Sequence, residues 1–150
     1  MASTLETGDD FRDRTAALLR TRFDRVRTEI SLAAKKADIC FEIRQGPRKV
    51  ISVAAECKNV DRALTRDDVK SIIDDYRPAL NEKQIQELWI ICDRTPAAGA
   101  RAYADAFPEC QLMTALEAEQ SIVDFRPLLN YLSTDFENDA IAQYYIPPSF

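Results

Sequence analysis

A run of five apolar residues at positions 88–92, with the sequence LWIIC, limits the folds open to this chain more than any other feature. A strand with one face in water alternates apolar and polar residues, whereas a strand buried on both faces is apolar throughout. Such a strand needs helices against its sheet, because each buried sheet face must pack against another layer. The sequence therefore predicts a central sheet flanked by helices.

The periodicity of the remaining sequence predicts the element order α-β-β-β-α-β-α-β-α. The predicted segments are a helix at 9–21, strands at 26–30, 37–43 and 49–58, a helix at 65–78, the strand at 88–92, a helix at 97–107, a strand at 111–113 and helical segments at 115–123 and 125–132. A turn at 45–48 makes the second and third strands a hairpin, and the later strands need parallel crossovers. The predicted class is α/β, bordering on α+β, with a mixed sheet.

The length of 150 residues supports one domain with a single core. We expect residues 1–134 to form that domain. Residues 135–150 carry three acidic side chains, no basic one and the string QYYIPP, a composition that favours a linker to a further domain. The sequence thus predicts one domain followed by an acidic, Tyr- and Pro-containing segment.

The lack of histidine and the small number of glycines limit the catalytic groups and cofactor sites that this chain can form. The chain has no histidine, which excludes a Ser-His-Asp or Cys-His catalytic group, a histidine zinc site and a histidine general base. Its three glycines, Gly8, Gly46 and Gly99, are too scattered for a Walker A loop or a G-x-G-x-x-G turn, which excludes nucleotide cofactors bound in those ways. Catalysis is left to carboxylate, lysine, tyrosine and thiol groups.

The four cysteines show no C-x-x-C pairing, and each lies in or beside a predicted strand. They are Cys40, Cys57, Cys92 and Cys110. We expect reduced, buried thiols rather than disulfides or metal ligands. The first ten residues lack the basic and apolar regions of a signal peptide, and no apolar stretch approaches the length of a membrane span. The expected location is cytoplasmic, with no membrane partner.

The charge of the chain is divided unevenly. Residues 1–60 contain 12 basic and 9 acidic residues, whereas residues 61–150 contain 8 basic and 16 acidic ones. A basic N-terminal part permits a local phosphate-binding face on an acidic chain. Because no aromatic residues are interleaved with the basic ones in the manner of a platform that stacks single-stranded bases, a duplex is favoured over single strands. The candidate phosphate contacts are Arg12, Arg20, Arg22, Arg25, Arg27, Lys35 and Lys36.

The predicted hairpin brings two carboxylates and a lysine together. Its turn places position 38 opposite positions 54–56, so Asp38 and Glu56 converge on one side, with Lys58 one strand step further. Two carboxylates and a backbone carbonyl, here that of Cys57, are hard oxygen ligands of the kind Mg²⁺ prefers. A structural ion pair among Asp38, Glu56 and Lys58 explains the same residues and remains open at this point.

The segments Ala37-Asp38-Ile39 and Val53-Ala54-Ala55-Glu56-Cys57-Lys58-Asn59, with the helix and apolar strand that follow, resemble the Mrr-like restriction endonuclease branch of the PD-(D/E)XK nuclease superfamily. The resemblance covers about residues 8–115 and includes the order of elements. It implies a restriction-endonuclease-like core in which Asp38 and Glu56 bind Mg²⁺, or Mn²⁺ in its place, and Lys58 serves the hydrolytic water. It also implies duplex DNA as substrate, a homodimer for double-strand cleavage, and a C-terminal regulatory or ATPase domain, as in bacterial anti-phage proteins.

The first helix departs from that pattern. Similar domains often have a Phe-Glu pair there, whose Glu assists with the metal, but this chain has Phe11-Arg12. The candidate substitutes are Asp9, Asp10, Asp13 and Glu29. Alternatively a single metal ion suffices, and a solvated position on the strand face is the simpler explanation of Glu29.

Three functions are consistent with the sequence. The first is a metal-dependent DNA endonuclease, as the effector domain of a bacterial restriction or anti-phage defence protein. The second is a catalytically inactive nuclease-fold module that binds nucleic acid or protein. The third is an unrelated α/β enzyme with Lys58 as nucleophile, which requires an apolar pocket without converging carboxylates.

Overall fold

The computed structural model describes residues 7–122, and within them the helices and strands follow the predicted order. The elements are α1 (Gly8–Arg20), β1 (Asp24–Ser31), β2 (Lys36–Arg44), β3 (Val50–Lys58), α2 (Arg66–Asn81), β4 (Glu87–Cys92), α3 (Ala98–Asp105), β5 (Cys110–Thr114) and α4 (Ala115–Ile122). The predicted helical segment at 125–132, the domain boundary at 134 and the acidic segment at 135–150 lie outside the described residues.

The five strands form one mixed sheet in the order β1-β2-β3-β4-β5. The first two pairings, β1 with β2 and β2 with β3, are antiparallel, whereas β3 with β4 and β4 with β5 are parallel. In the turn between β2 and β3 the Gln45 N–H donates to the Lys49 carbonyl at 2.7 Å. Gly46 adopts a φ of +134° in that turn, where a side chain would be strained. The predicted α/β class, with an early hairpin and later crossovers, is confirmed.

Helices cover both faces of the sheet, and β4 contributes to both cores. Leu88 and Ile90 pack with residues of α2 and α3, whereas Trp89 and Ile91 pack with residues of α1. The Trp89 ring meets the ring of Phe41 edge-on, with centroids 5.1 Å apart. The apolar run at 88–92 is therefore a strand buried on both faces, as predicted, and Trp89 belongs to the core.

Helix α2 is longer than predicted. Its start agrees with the sequence, because Thr65 and Asp68 form a capping box. The predicted end at Pro78 is wrong: the helix continues to Asn81. Proline removes one helical N–H donor, but Ala79 is buried in the core and the Glu82 N–H donates to the Pro78 carbonyl, so the last turn is held by packing and hydrogen bonding. No helix within residues 7–122 is long and apolar enough to cross a membrane.

Strand β1 changes face along its length. The alternation of Val26, Thr28 and Ile30 predicts one common face, yet Val26 packs with the α1 side and Ile30 with the α2 side. Glu29 has a φ of +55°, a left-handed conformation that reverses the strand's alternation at that point. The prediction that Val26 and Ile30 share one face of the sheet is therefore wrong, because the left-handed backbone at Glu29 reverses the alternation.

All four cysteines are free thiols, as predicted. Cys40, Cys92 and Cys110 are buried, and Cys57 is half-buried. Burial raises the pKa of Cys57 and of Cys110 to about 12 and that of Cys92 to about 11, so these groups are poor nucleophiles near neutral pH. Carboxylate and lysine side chains are therefore better candidates for catalytic groups than these thiols.

Candidate active site

The hairpin register brings Asp38 and Glu56 to the same edge of the sheet. Ile39 pairs with Ala55 in the β2–β3 ladder, so the next step outward sets position 38 opposite position 56. Asp38 Oδ2 accepts a hydrogen bond of 2.8 Å from the Cys57 N–H. The prediction that Asp38 lies opposite positions 54–56 is confirmed. These residues lie at the edge of the sheet where the parallel strands β3 and β4 end, and ligands bind at this edge in open α/β sheets.

Glu56 is a buried carboxylate, with only 4% of its surface exposed. Its Oε1 accepts a hydrogen bond of 2.6 Å from the Tyr76 hydroxyl. Its Oε2 lies 3.3 Å from Lys58 Nζ and 3.6 Å from Lys35 Nζ. A carboxylate taken out of water is costly unless it is paired, and this one has a neutral donor on one oxygen and two ammonium groups on the other. The side chains of Glu56 and Lys58 therefore meet as predicted.

The environment of Asp38 opposes its ionisation. Burial raises the pKa of Asp38, and the charge of Glu56 raises it further. The hydrogen bond from Cys57 and the charges of Lys35 and Lys58 act in the opposite direction without cancelling the effect of burial. A positive charge bound beside Asp38 would offset this penalty and favour the ionised carboxylate.

We expect Asp38→Asn to raise the melting temperature at neutral pH in the presence of EDTA. Because the pKa of Asp38 is raised in the folded protein, ionising this carboxyl lowers the stability of the fold. The loss of stability is absent at pH values below the ordinary aspartate pKa and is complete at pH values above the raised pKa. An asparagine oxygen can still accept from the Cys57 N–H without a charge. Thermal melts of both proteins across the acidic to neutral range should show a difference that grows with pH. A variant less stable than the wild type at neutral pH contradicts this prediction.

An open cleft of about 160 Å³ gives solvent access to one side of these residues. It is lined by Glu56, Lys58, Val60, Arg62, Leu64, Asp68, Ser71, Ile72 and Asp75. Its far wall is formed by α2 and the segment before it. Lys58, whose side chain is 34% exposed, therefore faces solvent beside the buried carboxylate.

Two solved structures are similar to this architecture. The DNA modification-dependent restriction endonuclease AspBHI aligns with a TM-score of 0.54 and 16% identity, over 87% of this chain and 35% of that chain. The chain has a restriction-endonuclease-like fold. It spans about a third of the length of AspBHI. The crystal structure of AF1548, a protein of unknown function, aligns with a TM-score of 0.54 and 13% identity, over 92% of this chain and 73% of that chain. No family model and no curated protein sequence matches the chain.

In this restriction-endonuclease-like domain the additional acids predicted for the site lie elsewhere. Three of them form ion pairs with Arg12, whose guanidinium lies 3.5 Å from Asp9, 3.1 Å from Asp13 and 3.4 Å from Glu29. Asp10 lies in the first turn of α1, where its N–H donates to the Thr7 hydroxyl. No group of three or more metal-ligating side chains occurs in residues 7–122, so none of these acids joins Asp38 and Glu56.

Some of the basic residues predicted to contact phosphate are paired with other groups of this chain, and others are exposed. Arg12 is enclosed by acids, with only 16% of its side chain exposed, and Lys36 Nζ lies 3.0 Å from Glu29 Oε1. Arg22 donates to the Ile122 carbonyl, and Arg25 lies 3.8 Å from Glu42. The remaining members, apart from Lys35 at Glu56, are the exposed Arg20 and Arg27. The basic segment is thus not one continuous face.

Tyr76 has a role at this site that the sequence analysis missed. Its position on the apolar face of α2 predicts packing, and its ring is indeed fully buried. The buried hydroxyl, however, requires a partner and finds it in Glu56 Oε1. Burial and the nearby Glu56 charge raise the pKa of Tyr76, so the phenol remains a proton donor. A tyrosine rather than phenylalanine on a buried helix face was the available signal.

Replacing Tyr76 with phenylalanine is expected to cost about 1–3 kcal/mol of unfolding free energy, because a buried carboxylate oxygen loses its donor. Urea unfolding monitored through Trp89 fluorescence measures this change. Tyr103→Phe is the control, since Tyr103 is only half-buried and its expected change is within about 0.5 kcal/mol. Equal losses in the two variants would show that the Tyr76 hydroxyl does not support Glu56.

Proposed function

We propose that this domain is a metal-dependent DNA endonuclease that hydrolyses phosphodiester bonds with Asp38, Glu56 and Lys58. The observation that carries the proposal is the buried Glu56 carboxylate, held beside Lys58 and across the hairpin from Asp38 at the open edge of a restriction-endonuclease-like sheet. The similarity to AspBHI, whose name states that it is a restriction endonuclease, supports the reaction class. Two carboxylates can hold a divalent ion, and a lysine beside them can position a water and stabilise the charge on it.

The donor set fits Mg²⁺. The carboxylates of Asp38 and Glu56 and the Cys57 carbonyl would hold the ion, which keeps several water ligands and so needs few from the protein. Two lysine ammonium groups lie within 3.6 Å of Glu56 Oε2, and their charge lowers the affinity of that oxygen for a cation. Mn²⁺ accepts the same oxygen ligands and should substitute. When bound, the ion would supply electrostatic stabilisation of the charge that develops on the phosphate.

The chain's own groups then have separate tasks. Lys58, at the solvent side of Glu56, orients the attacking water, and its ammonium group stabilises the hydroxide that forms from that water. Tyr76 holds Glu56 Oε1, so that Oε2 faces the reacting centre. The water loses a proton to solvent, its oxygen attacks phosphorus, the P–O bond to the leaving oxygen breaks, and that alkoxide takes up a proton from solvent to leave as the alcohol. No covalent intermediate with the protein is needed.

The test is cleavage of supercoiled plasmid by the purified protein with Mg²⁺, with Mn²⁺ and with EDTA. We expect nicked or linear product only with a divalent ion, and loss of product in Asp38→Asn. Asp24→Asn is the matched control, because Asp24 is exposed at the start of β1, where it pairs with Glu42 towards the end of β2 that is far from Asp38. Cleavage that persists in EDTA, or in Asp38→Asn, would overturn the proposal.

A binding module with a nuclease fold is the second candidate. The observation that favours it is that both oxygens of Glu56 have partners within the protein, as they would in an ion-pair network with a purely structural role. DNA binding without cleavage under every metal condition would support it. The third function considered, a lysine nucleophile in an apolar pocket, is disfavoured because Lys58 contacts a carboxylate. A homodimer, a C-terminal ATPase domain and a role in phage defence belong to the same proposal.

A further inference from the structure

Lys35 lies at the candidate site although it comes from a turn rather than from the hairpin. The turn between β1 and β2 is closed by a hydrogen bond of 2.8 Å from the Leu32 N–H to the Lys35 carbonyl. It is also tied to the loop after α2, since the Ala33 N–H donates to Gln84 Oε1 at 2.7 Å. The turn is thus anchored at two points, and it delivers the Lys35 ammonium to Glu56 Oε2.

The two lysines approach Glu56 from different directions. Lys58 lines the cleft against α2, whereas Lys35 is not part of the cleft lining. The Lys35 ammonium instead lies 5.9 Å from the centre of the Tyr76 ring, and 29% of its side chain is exposed. The two ammonium groups therefore flank Glu56 Oε2, one from the cleft and one from outside the cleft lining.

The charge of the site shows what a second lysine can contribute. Asp38 and Glu56 together balance Lys35 and Lys58, so the four side chains are neutral as a set. A divalent ion makes the set doubly positive, which matches the two negative charges of a phosphodiester under attack by hydroxide. Within residues 7–122 no further acidic side chain groups with Asp38 and Glu56 to hold a second metal ion, although Asp68 and Asp75 line the same cleft as Glu56. A second ammonium group provides the positive charge that such an ion would otherwise supply.

We propose that Lys35 is a second active-site cation, which contacts the phosphate under attack and takes the place of a second metal ion. This inference rests on the proposed endonuclease function. It differs from the sequence-based expectation that Lys35 is one of several duplex contacts, because a duplex contact contributes to DNA affinity and not to the rate at saturation.

Two measurements on Lys35→Met test the proposal. The first is the single-turnover cleavage rate at saturating DNA and Mg²⁺, which should fall about tenfold or more. The second is Mn²⁺ affinity of the DNA-free protein, measured by electron paramagnetic resonance. It should tighten about threefold or more, because one positive charge near the carboxylates is removed. Lys35→Arg keeps the charge and should retain most of both wild-type values.

Lys70→Met is the control, because Lys70 is exposed and pairs with Asp74 on the outside of α2. It should change neither measurement. A Lys35→Met rate at saturation equal to wild type, with weaker DNA binding only, overturns the inference and leaves Lys35 as a duplex contact. Equal Mn²⁺ affinities of wild type and Lys35→Met also overturn it, whether or not the protein cleaves DNA. Absence of cleavage by the wild type with any metal overturns the proposed function instead.

Discussion

Replacing Lys58 with methionine is expected to lower Mg²⁺-dependent plasmid cleavage roughly 10²–10³-fold, the range for loss of one group that stabilises charge in the transition state. Methionine keeps most of the length and apolar volume of the lysine stem but has no ammonium group. Glu56 retains the Tyr76 hydroxyl and the Lys35 ammonium, so the single variant should remain folded. The cleavage rate at saturating DNA and metal, measured alongside a thermal melt, separates loss of chemistry from loss of fold.

Lys49→Met is the matched control for Lys58→Met. Lys49 precedes the same strand, is exposed and lies at the opposite end of β3. Its removal should leave the cleavage rate at saturation unchanged. If Lys58→Met were folded and cleaved at the wild-type rate, Lys58 would have no part in the chemistry, and the ion pair with Glu56 would be structural.

Removing both lysines, in Lys35→Met with Lys58→Met, is expected to cost about 2–4 kcal/mol of unfolding free energy. A buried charge that loses its partners costs about 3–5 kcal/mol, and the partial exposure of both lysine side chains reduces that figure here. Each single variant should cost less than half as much, because the remaining ammonium still faces Glu56 Oε2. Urea unfolding at neutral pH in EDTA measures all three proteins.

The control for the double variant adds Glu56→Gln. The neutral amide needs no counter-charge and can still accept from Tyr76, so the triple variant should recover most of the lost stability. No recovery in the triple variant would show that the lysine stems stabilise the fold through packing rather than through the Glu56 charge.

The element order could be predicted from the sequence because each element carries its own periodicity. The apolar run at 88–92 indicates a strand buried on both faces, and the Thr65–Asp68 capping box marks the start of α2. The convergence of Asp38 and Glu56 could also be predicted. A hairpin with a turn at Gly46 has a register set by counting residues from that turn.

Two features of the fold could not be predicted, for different reasons. Pro78 is a helix breaker in isolation, but the burial of Ala79 carries α2 one turn further. The left-handed backbone at Glu29 turns part of β1 towards the other core, and no strongly turn-forming residue marks that position. Such local conformations follow from the twist and packing of the whole sheet rather than from neighbouring residues.

By itself the sequence determined the class of fold, the hairpin register and the candidate set of Asp38, Glu56 and Lys58, because these depend on contacts between neighbouring segments. Only the tertiary structure decided that Tyr76 and Lys35 complete the surroundings of Glu56. Both reach it from elements 20 or more residues away along the chain, one from a helix laid across the sheet and one from a turn. Such contacts depend on how layers pack, which periodicity does not encode.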